Sequence, residues 1–546
     1  MKTRNTRSLS FFFALCAVTL PERAAPADTA ITAAITVADD VMGEAYRAIW
    51  NEAEQARIDA DIEKNRKADG VFEIDAPDGA EVRVEQLSHA FRFGAHIFNF
   101  NQLGSTAAND AYKASYGAGG LFNQATVSFY WIDHELTPGA FRFGGGYEDS
   151  ERFWNSLTRE EAMRERHWRR PAPGPVIDFL RARDVAVHGH VRVWGQATPY
   201  WVYDWHCPER EKRVLDELGI PRHSAHLGFE PAGQNWGNGF QGRRARAWRG
   251  KYATLRDAGL DEAALAERIP VFAANLRRLH RKRVFDVAAA YGDAADSWDV
   301  VNESAGDFSQ YGASRTGLPL WFGWFGLMPG DYPLHALLDA GEAFPEHVKF
   351  AVNDANLKPY YVEQVKDLEK EGARIDIVGC QMHIFDTNAC ARLAAGATNV
   401  NWVGSPQIIR DRLDMIAGAG RPIHVSEVTI AAPGEDARAF RIQAELARNI
   451  YRAWFSHPAV MGITWWNTVD GAGVAGEPLV SGIFTRDMEK KPVWFALDNL
   501  VNREWRTRTV AKAASGKVAF RGFRGRYRLE WTDATGAARS KWVELE

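Results

Sequence analysis

The chain has 546 residues, 46% of them hydrophobic and 25% charged, with a formal net charge of -4. That length and balance bury a large core and exclude a disordered or fibrous protein. The small charge, without basic runs interleaved with aromatics, argues against a nucleic-acid partner. The 20 tryptophans exceed what packing alone usually uses, and indoles stack on the C–H faces of sugar rings, so the excess points to a carbohydrate ligand.

In chain order, Lys2, Arg4 and Arg7 precede an apolar run from Leu9 to Leu20, with Ala25-Pro26-Ala27 as a small-x-small cleavage site. Residues 1–27 are expected to be a secretory signal, which makes the mature chain secreted or periplasmic. The run is too short to span a bilayer, and no other stretch of the sequence offers a membrane span. Residues 28–89 read as a lead-in module. It comprises a charged helix over 44–67 and a β-hairpin over Val71 to Glu85, with its turn at Asp75-Ala76-Pro77-Asp78-Gly79.

From Ala90 onward eight apolar strand candidates alternate with segments long enough for helices. They are Phe91 to Phe98, Ala125 to Trp131, Val185 to Trp194, Ser297 to Glu303, Val348 to Asp354, Ile375 to His383, Pro422 to Val428 and Met461 to Asp470. Strands buried on both faces and alternating with helices imply an α/β fold with a parallel sheet, here a (β/α)₈ barrel over residues 90–505. The long connection from Tyr203 to Ile269, rich in Trp, Gly and Arg, is expected to build an extra wall of the cleft. Residues 506–546 alternate again, through Lys517 to Phe520, Tyr527 to Trp531 and Lys541 to Leu545, and read as a small C-terminal β appendage. Of the four cysteines, Cys16 leaves with the signal, while Cys207, Cys380 and Cys390 remain. An odd, sparse set argues against a disulfide framework and leaves a Cys380–Cys390 bridge open. No CxxC spacing suggests zinc, and neither a metal nor another cofactor is expected.

The polar residues fall at the C-terminal ends of the strand candidates, where a barrel builds its active site. Trp194, Glu303, Asp354, Gln381 with His383, Glu427 and Trp466 with Asp470 all lie there. Glu303 ends the run Trp-Asp-Val-Val-Asn-Glu at 298–303, and Glu427 closes a similar run. Two carboxylates delivered by buried strand ends are the minimum equipment for acid and nucleophile chemistry on a glycosidic bond. Two other readings stand beside this one: a carbohydrate-binding barrel without turnover, and a metallohydrolase using His188, His190, His383 and Asp470.

These motifs resemble glycoside hydrolase family 10, the endo-β-1,4-xylanases. The resemblance rests on WDVVNE at 298–303, HVRVWGQATPYW at 190–201, Asn353-Asp354, GCQMH at 379–383, SEV at 426–428 and WWNTVD at 465–470. They occur in the family's order over roughly residues 90–505. The resemblance implies a retaining hydrolase of xylan-like polysaccharide, with Glu303 as acid/base and Glu427 as nucleophile, the two carboxyl groups roughly 5 to 5.5 Å apart. Glu303 must start protonated and Glu427 ionised. By the same resemblance Asn302 contacts the sugar 2-hydroxyl, His383 hydrogen-bonds the nucleophile, and Gln381 contacts sugar and catalytic groups. His190 and Trp194 bind sugar, and Trp466 walls the site. Asn353 and Asp354 are expected to be architectural, and the protein is expected to act as a monomer.

Strict strand alternation sets Asn302 and Glu303 on opposite faces, so both reach the site only where the strand end bends or bulges. One departure from the family pattern concerns the second barrel strand. Members carry a Glu-Asn pair and a Lys-Trp pair there, gripping the sugars on the non-reducing side. This chain has Thr126-Val127 and Tyr130-Trp131. The distal subsite must be rebuilt, and Tyr130, Trp131 and the long insertion are the candidates.

Overall fold

The computed structural model describes residues 41–220, 222, 240–308, 318–323, 326–400, 402–473 and 477–546. The expected signal, and the part of the long insertion at 221 and 223–239, lie outside the described residues.

The sixteen described strands are β1 (Lys67–Glu73), β2 (Glu81–His89), β3 (Arg92–His96), β4 (Gln124–Ser128), β5 (Ala186–His190), β6 (Ser297–Asn302), β7 (Leu320–Phe322), β8 (Leu327–Pro329), β9 (Lys349–Asp354), β10 (Ile377–Ile384), β11 (Ile423–Ile430), β12 (Val460–Trp465), β13 (Arg508–Ala514), β14 (Lys517–Phe523), β15 (Gly525–Thr532) and β16 (Ala538–Leu545). Eight of them, β3, β4, β5, β6, β9, β10, β11 and β12, close into a barrel, every neighbouring pair parallel. With helices between successive strands this is the expected (β/α)₈ barrel. Strands such as β4, β5, β6 and β11 are buried along their whole length, as an all-parallel sheet covered on both faces requires. The main core lies between these strands and the surrounding helices, with Trp298, Trp454 and Trp465 fully enclosed in it.

Five strand predictions overran at their C-terminal ends, the first and second stopping at His96 and Ser128 instead of Phe98 and Trp131. The fourth barrel strand stops at Asn302 and the eighth at Trp465, so Glu303, Trp466 and Asp470 sit on the loops that follow. The third stops at His190, which leaves Trp194 at the entry to a short 3₁₀ turn, Gly195–Ala197.

The lead-in helix is two helices, Glu44–Ile49 and Glu52–Arg66, because Asn51 caps the second: its side-chain carbonyl accepts the Glu54 N–H at 3.0 Å. The expected hairpin forms both strands without pairing them. β1 pairs with β14, whereas β2 lies between β13 and β15, giving one six-stranded sheet in the order β1-β14-β13-β2-β15-β16. The physical reason is burial. Val82 and Val84 of β2 share a core with Ala513, Val518, Phe520, Tyr527, Leu529 and Leu545, which the weakly apolar β1 alone cannot supply.

The described part of the long insertion is helical, with Glu209–Glu217, Phe240–Asp257 and Glu262–Arg268. Together with the two-stranded β7-β8 unit, which the sequence reading missed, it carries a second core around Trp201, Tyr203, Leu215, Tyr252 and Phe322. Cys207, Cys380 and Cys390 are buried free thiols. Among the described residues no helix is long and apolar enough to cross a membrane.

Candidate active site

The site forms where three barrel strands depart from regular pairing. Register shifts fall between Asp299 and Val301 on β6, between Gly379 and Gln381 on β10, and between Val425 and Val428 on β11. Each irregularity lies beside the polar residues that its strand delivers, and re-aiming side chains is what bulges do. On β6 a second device completes the turn. Glu303 adopts left-handed backbone geometry with φ 54°, a conformation that costs a non-glycine residue about 1 to 3 kcal/mol. Its N–H donates to the Asn353 carbonyl at 2.8 Å, which holds the turn. Asn302 and Glu303 consequently face the same place: Gln381 Nε2 donates to Asn302 Oδ1 and to Glu303 Oε1, each at 3.2 Å.

Glu303 receives a second donor on its other oxygen, the Trp194 indole N–H at 3.0 Å. Glu427 is held from both sides. Asn353 Nδ2 donates to its Oε1 at 2.7 Å, and His383 Nε2 lies 3.1 Å from its Oε2. The Asn353 amide also donates to Asn302 Oδ1 at 2.8 Å, while Ser426 Oγ donates to Asn353 Oδ1 at 2.5 Å. Asn353 therefore links the two halves of the site, a role the sequence reading gave to architecture. A side chain at position 379 would destroy this link, since a Cβ on Gly379 meets Asn353 Oδ1 at 2.5 Å. Asp354 is architectural, its carboxylate accepting the backbone N–H groups of Ala305 and Asn356 at 2.8 and 2.7 Å.

Burial, then the negative charges of Glu427 and Asp354, pushes the Glu303 carboxyl up to about 8. Burial also pushes Glu427 up, to about 7, against the pull of His190 and of the Asn353 hydrogen bond. Glu427 thus ionises first, and its charge helps keep the proton on Glu303. Burial pushes His383 down to about 4, so its ring is neutral. Because a carboxylate only accepts, Nε2 carries the ring proton and Nδ1 accepts from the Thr429 hydroxyl at 2.9 Å.

An aromatic box surrounds the carboxyl groups. The Trp466 ring meets those of His96, Phe98, His190 and His383 at centroid distances of 4.6, 5.2, 5.3 and 6.0 Å. Tyr130 stands edge-on to His190 at 5.4 Å and tilted to Trp194 at 5.8 Å. Below, Asp299 Oδ2 lies 2.8 Å from His190 Nδ1 and 3.0 Å from His188 Nε2. Burial alone would raise Asp299, but the two histidines overcome it and hold the carboxyl well below the usual carboxylate range.

All nine residues singled out from the sequence, Glu303, Glu427, His190, Trp194, Asn302, Gln381, His383, Trp466 and Tyr130, are linked here through shared hydrogen bonds or ring contacts. Trp131 is not. It turns away into the second core, with Trp201 and His280 against its ring and its N–H donated to Glu135 at 2.6 Å. Thr126 and Val127 are buried inside the barrel wall. Asp470 is bound to Lys491 Nζ at 3.0 Å and to the Gly482 N–H at 2.7 Å, a structural assignment. Among the described residues no three His, Cys, Asp or Glu side chains converge on a point where a metal ion could sit, so the four residues of the metallohydrolase reading do not form a ligand set.

A (β/α)₈ barrel that delivers two buried, differently tuned glutamates to its C-terminal end holds the groups that acid and nucleophile chemistry on a glycosidic bond requires. Residues 267–500, which contain both glutamates, match the model of glycosyl hydrolase family 10. Endo-1,4-beta-xylanase B of Thermotoga neapolitana is 28% identical over 222 residues, covering 39% of this chain and 58% of the relative. Endo-1,4-beta-xylanase A of Caldicellulosiruptor saccharolyticus is 21% identical over 342 residues, covering 58% of this chain and 76% of the relative. Native xylanase 10B of Thermotoga maritima superposes with a TM-score of 0.46 at 18% identity, over 76% of this chain and 96% of the other.

Proposed function

We propose that this protein hydrolyses β-1,4-linked xylan, or a decorated xylan-like polysaccharide, with retention of anomeric configuration. The observation that carries the reading is the unequal glutamate pair joined through Asn302, Asn353 and Gln381. Glu303, the more weakly acidic, donates its proton to the leaving oxygen while ionised Glu427 attacks the anomeric carbon and forms a glycosyl-enzyme intermediate. Glu303, now ionised, then takes a proton from the water that releases the sugar. The xylanases among the relatives support xylan as the substrate. The aromatic box of Trp466, Tyr130 and Trp194 supports a neutral sugar ring. The basic and apolar run at residues 2–20 supports action outside the cytoplasm.

The test is turnover of xylan and of an aryl β-xylobioside by the wild type, Glu303→Gln and Glu427→Gln, with the configuration of the first product followed by NMR. Retained configuration and a loss of about 10²-fold or more in each variant are expected. Unchanged turnover in both variants would refute the assignment.

A further inference from the structure

At the second barrel strand Thr126, Val127 and Tyr130 offer no charged group, and one carboxylate near the nucleophile has no task in the chemistry above. Glu477, on the loop after β12, has one oxygen, Oε1, 3.5 Å from Arg169 Nη2. Its other oxygen, Oε2, is buried without a hydrogen-bond partner. Glycine at position 473 makes room for that oxygen, since a Cβ there would meet it at 2.3 Å. Arg169 is fixed from its own side. Its guanidinium lies 3.7 Å over the Phe98 ring, its backbone N–H donates to Gln102 Oε1 at 2.7 Å, and its side chain is 1% exposed. Phe98 in turn meets Trp466 edge-on, which ties the ion pair to the wall of the site.

Contacts place Glu477 by the nucleophile's wall of the site: its partner Arg169 lies over Phe98, Phe98 meets Trp466, and the Trp466 ring faces His383, which holds Glu427. The negative charge of Glu477 acts on Glu427 and on His383, the two groups on that wall. Its side chain is as closed off as that of Glu427, 5% exposed against 6%. The arginine cancels its charge in the pair but leaves Oε2 with unused acceptor capacity, and a buried carboxylate oxygen gains most from a hydroxyl donor.

We propose that Glu477, positioned by Arg169, is a substrate-binding residue whose Oε2 accepts a hydrogen bond from a hydroxyl of a neutral sugar ring on the non-reducing side of the cleaved bond. It supplies a charged acceptor that Thr126, Val127 and Tyr130 do not. An acceptor-only oxygen there admits hydroxyl groups and repels a sugar carboxylate, so unsubstituted sugars are bound at this position in preference to uronic acids.

This inference rests on the glycosidase reading, and the experiment separates the two. Steady-state kinetics on an aryl β-xylobioside are measured for the wild type, Glu477→Gln, Glu477→Ala and Arg169→Met, with Tm recorded for each. The expected result for Glu477→Gln is a KM raised about tenfold with kcat changed less than about threefold and Tm held, and a KM shift in the same direction for Arg169→Met. A wild type that turns over the substrate while Glu477→Gln keeps KM within about twofold overturns this inference alone. So does a variant that loses kcat at constant KM, which would make Glu477 a tuner of the nucleophile. A wild type that does not turn over the xylobioside overturns both readings.

Discussion

Replacing Asn353 by alanine removes the donor 2.7 Å from Glu427 Oε1 and leaves His383 as the named partner of that carboxylate. A hydrogen bond to an ionised acceptor contributes about 1.5 to 3 kcal/mol, and it favours the charged form, so its loss raises the Glu427 pKa by about 1 to 2 units. Activity needs Glu427 ionised and Glu303 protonated. The acid limb of kcat/KM against pH therefore follows Glu427, near 7, and the basic limb follows Glu303, near 8, both as properties of the coupled pair. An acid limb that rises by about 1.5 units passes the basic limb, which lowers the correctly protonated fraction at the optimum about threefold and moves the optimum upward. Disorder of Asn302, which loses the same amide, adds to the fall. The assay is kcat/KM on an aryl β-xylobioside from pH 5 to 10. If Asn353→Ala loses activity while the acid limb stays within about 0.3 units, Asn353 does not act through the charge of Glu427 and this reasoning fails.

Thr429→Val removes the hydroxyl that donates to His383 Nδ1, so the ring can take the other tautomer and turn a lone pair toward Glu427. We expect kcat to fall about tenfold and the acid limb to rise, measured on the same substrate. Lys491→Met tests the buried pair with Asp470, in which the lysine side chain is 0% exposed. Stranding that carboxylate costs about 3 to 5 kcal/mol, seen as a lowered Tm and denaturation midpoint. An unchanged Tm would show that Asp470 takes up its proton at little cost.

The barrel was legible in the sequence because strands buried on both faces are continuous apolar runs, and eight of them left little choice of closure. The two glutamates were legible because each ended such a run. The fate of Asn353 was not, since its position at a strand end looks the same whether its amide faces a helix or the nucleophile; only the shift on β6 and the space at Gly379 decide it. Trp131 misled for the opposite reason. An aromatic beside Tyr130 looks like a site residue, but the helical turn that starts at Trp131 carries it into the second core. The lead-in hairpin failed because turn residues at 75–79 define a reversal of the chain, whereas partner choice depends on apolar faces more than four hundred positions away.

That last distance bears on how the molecule is made. Arg528 and Glu85 hydrogen-bond across β15 and β2 although 443 positions separate them, so β2 leaves the ribosome long before either of its neighbours exists. Through the synthesis of the whole barrel both of the strands that pair with it are missing. Its alternating charges at Glu81, Arg83 and Glu85 are suited to that interval, since they discourage pairing with the wrong chain until β13 and β15 arrive on either side.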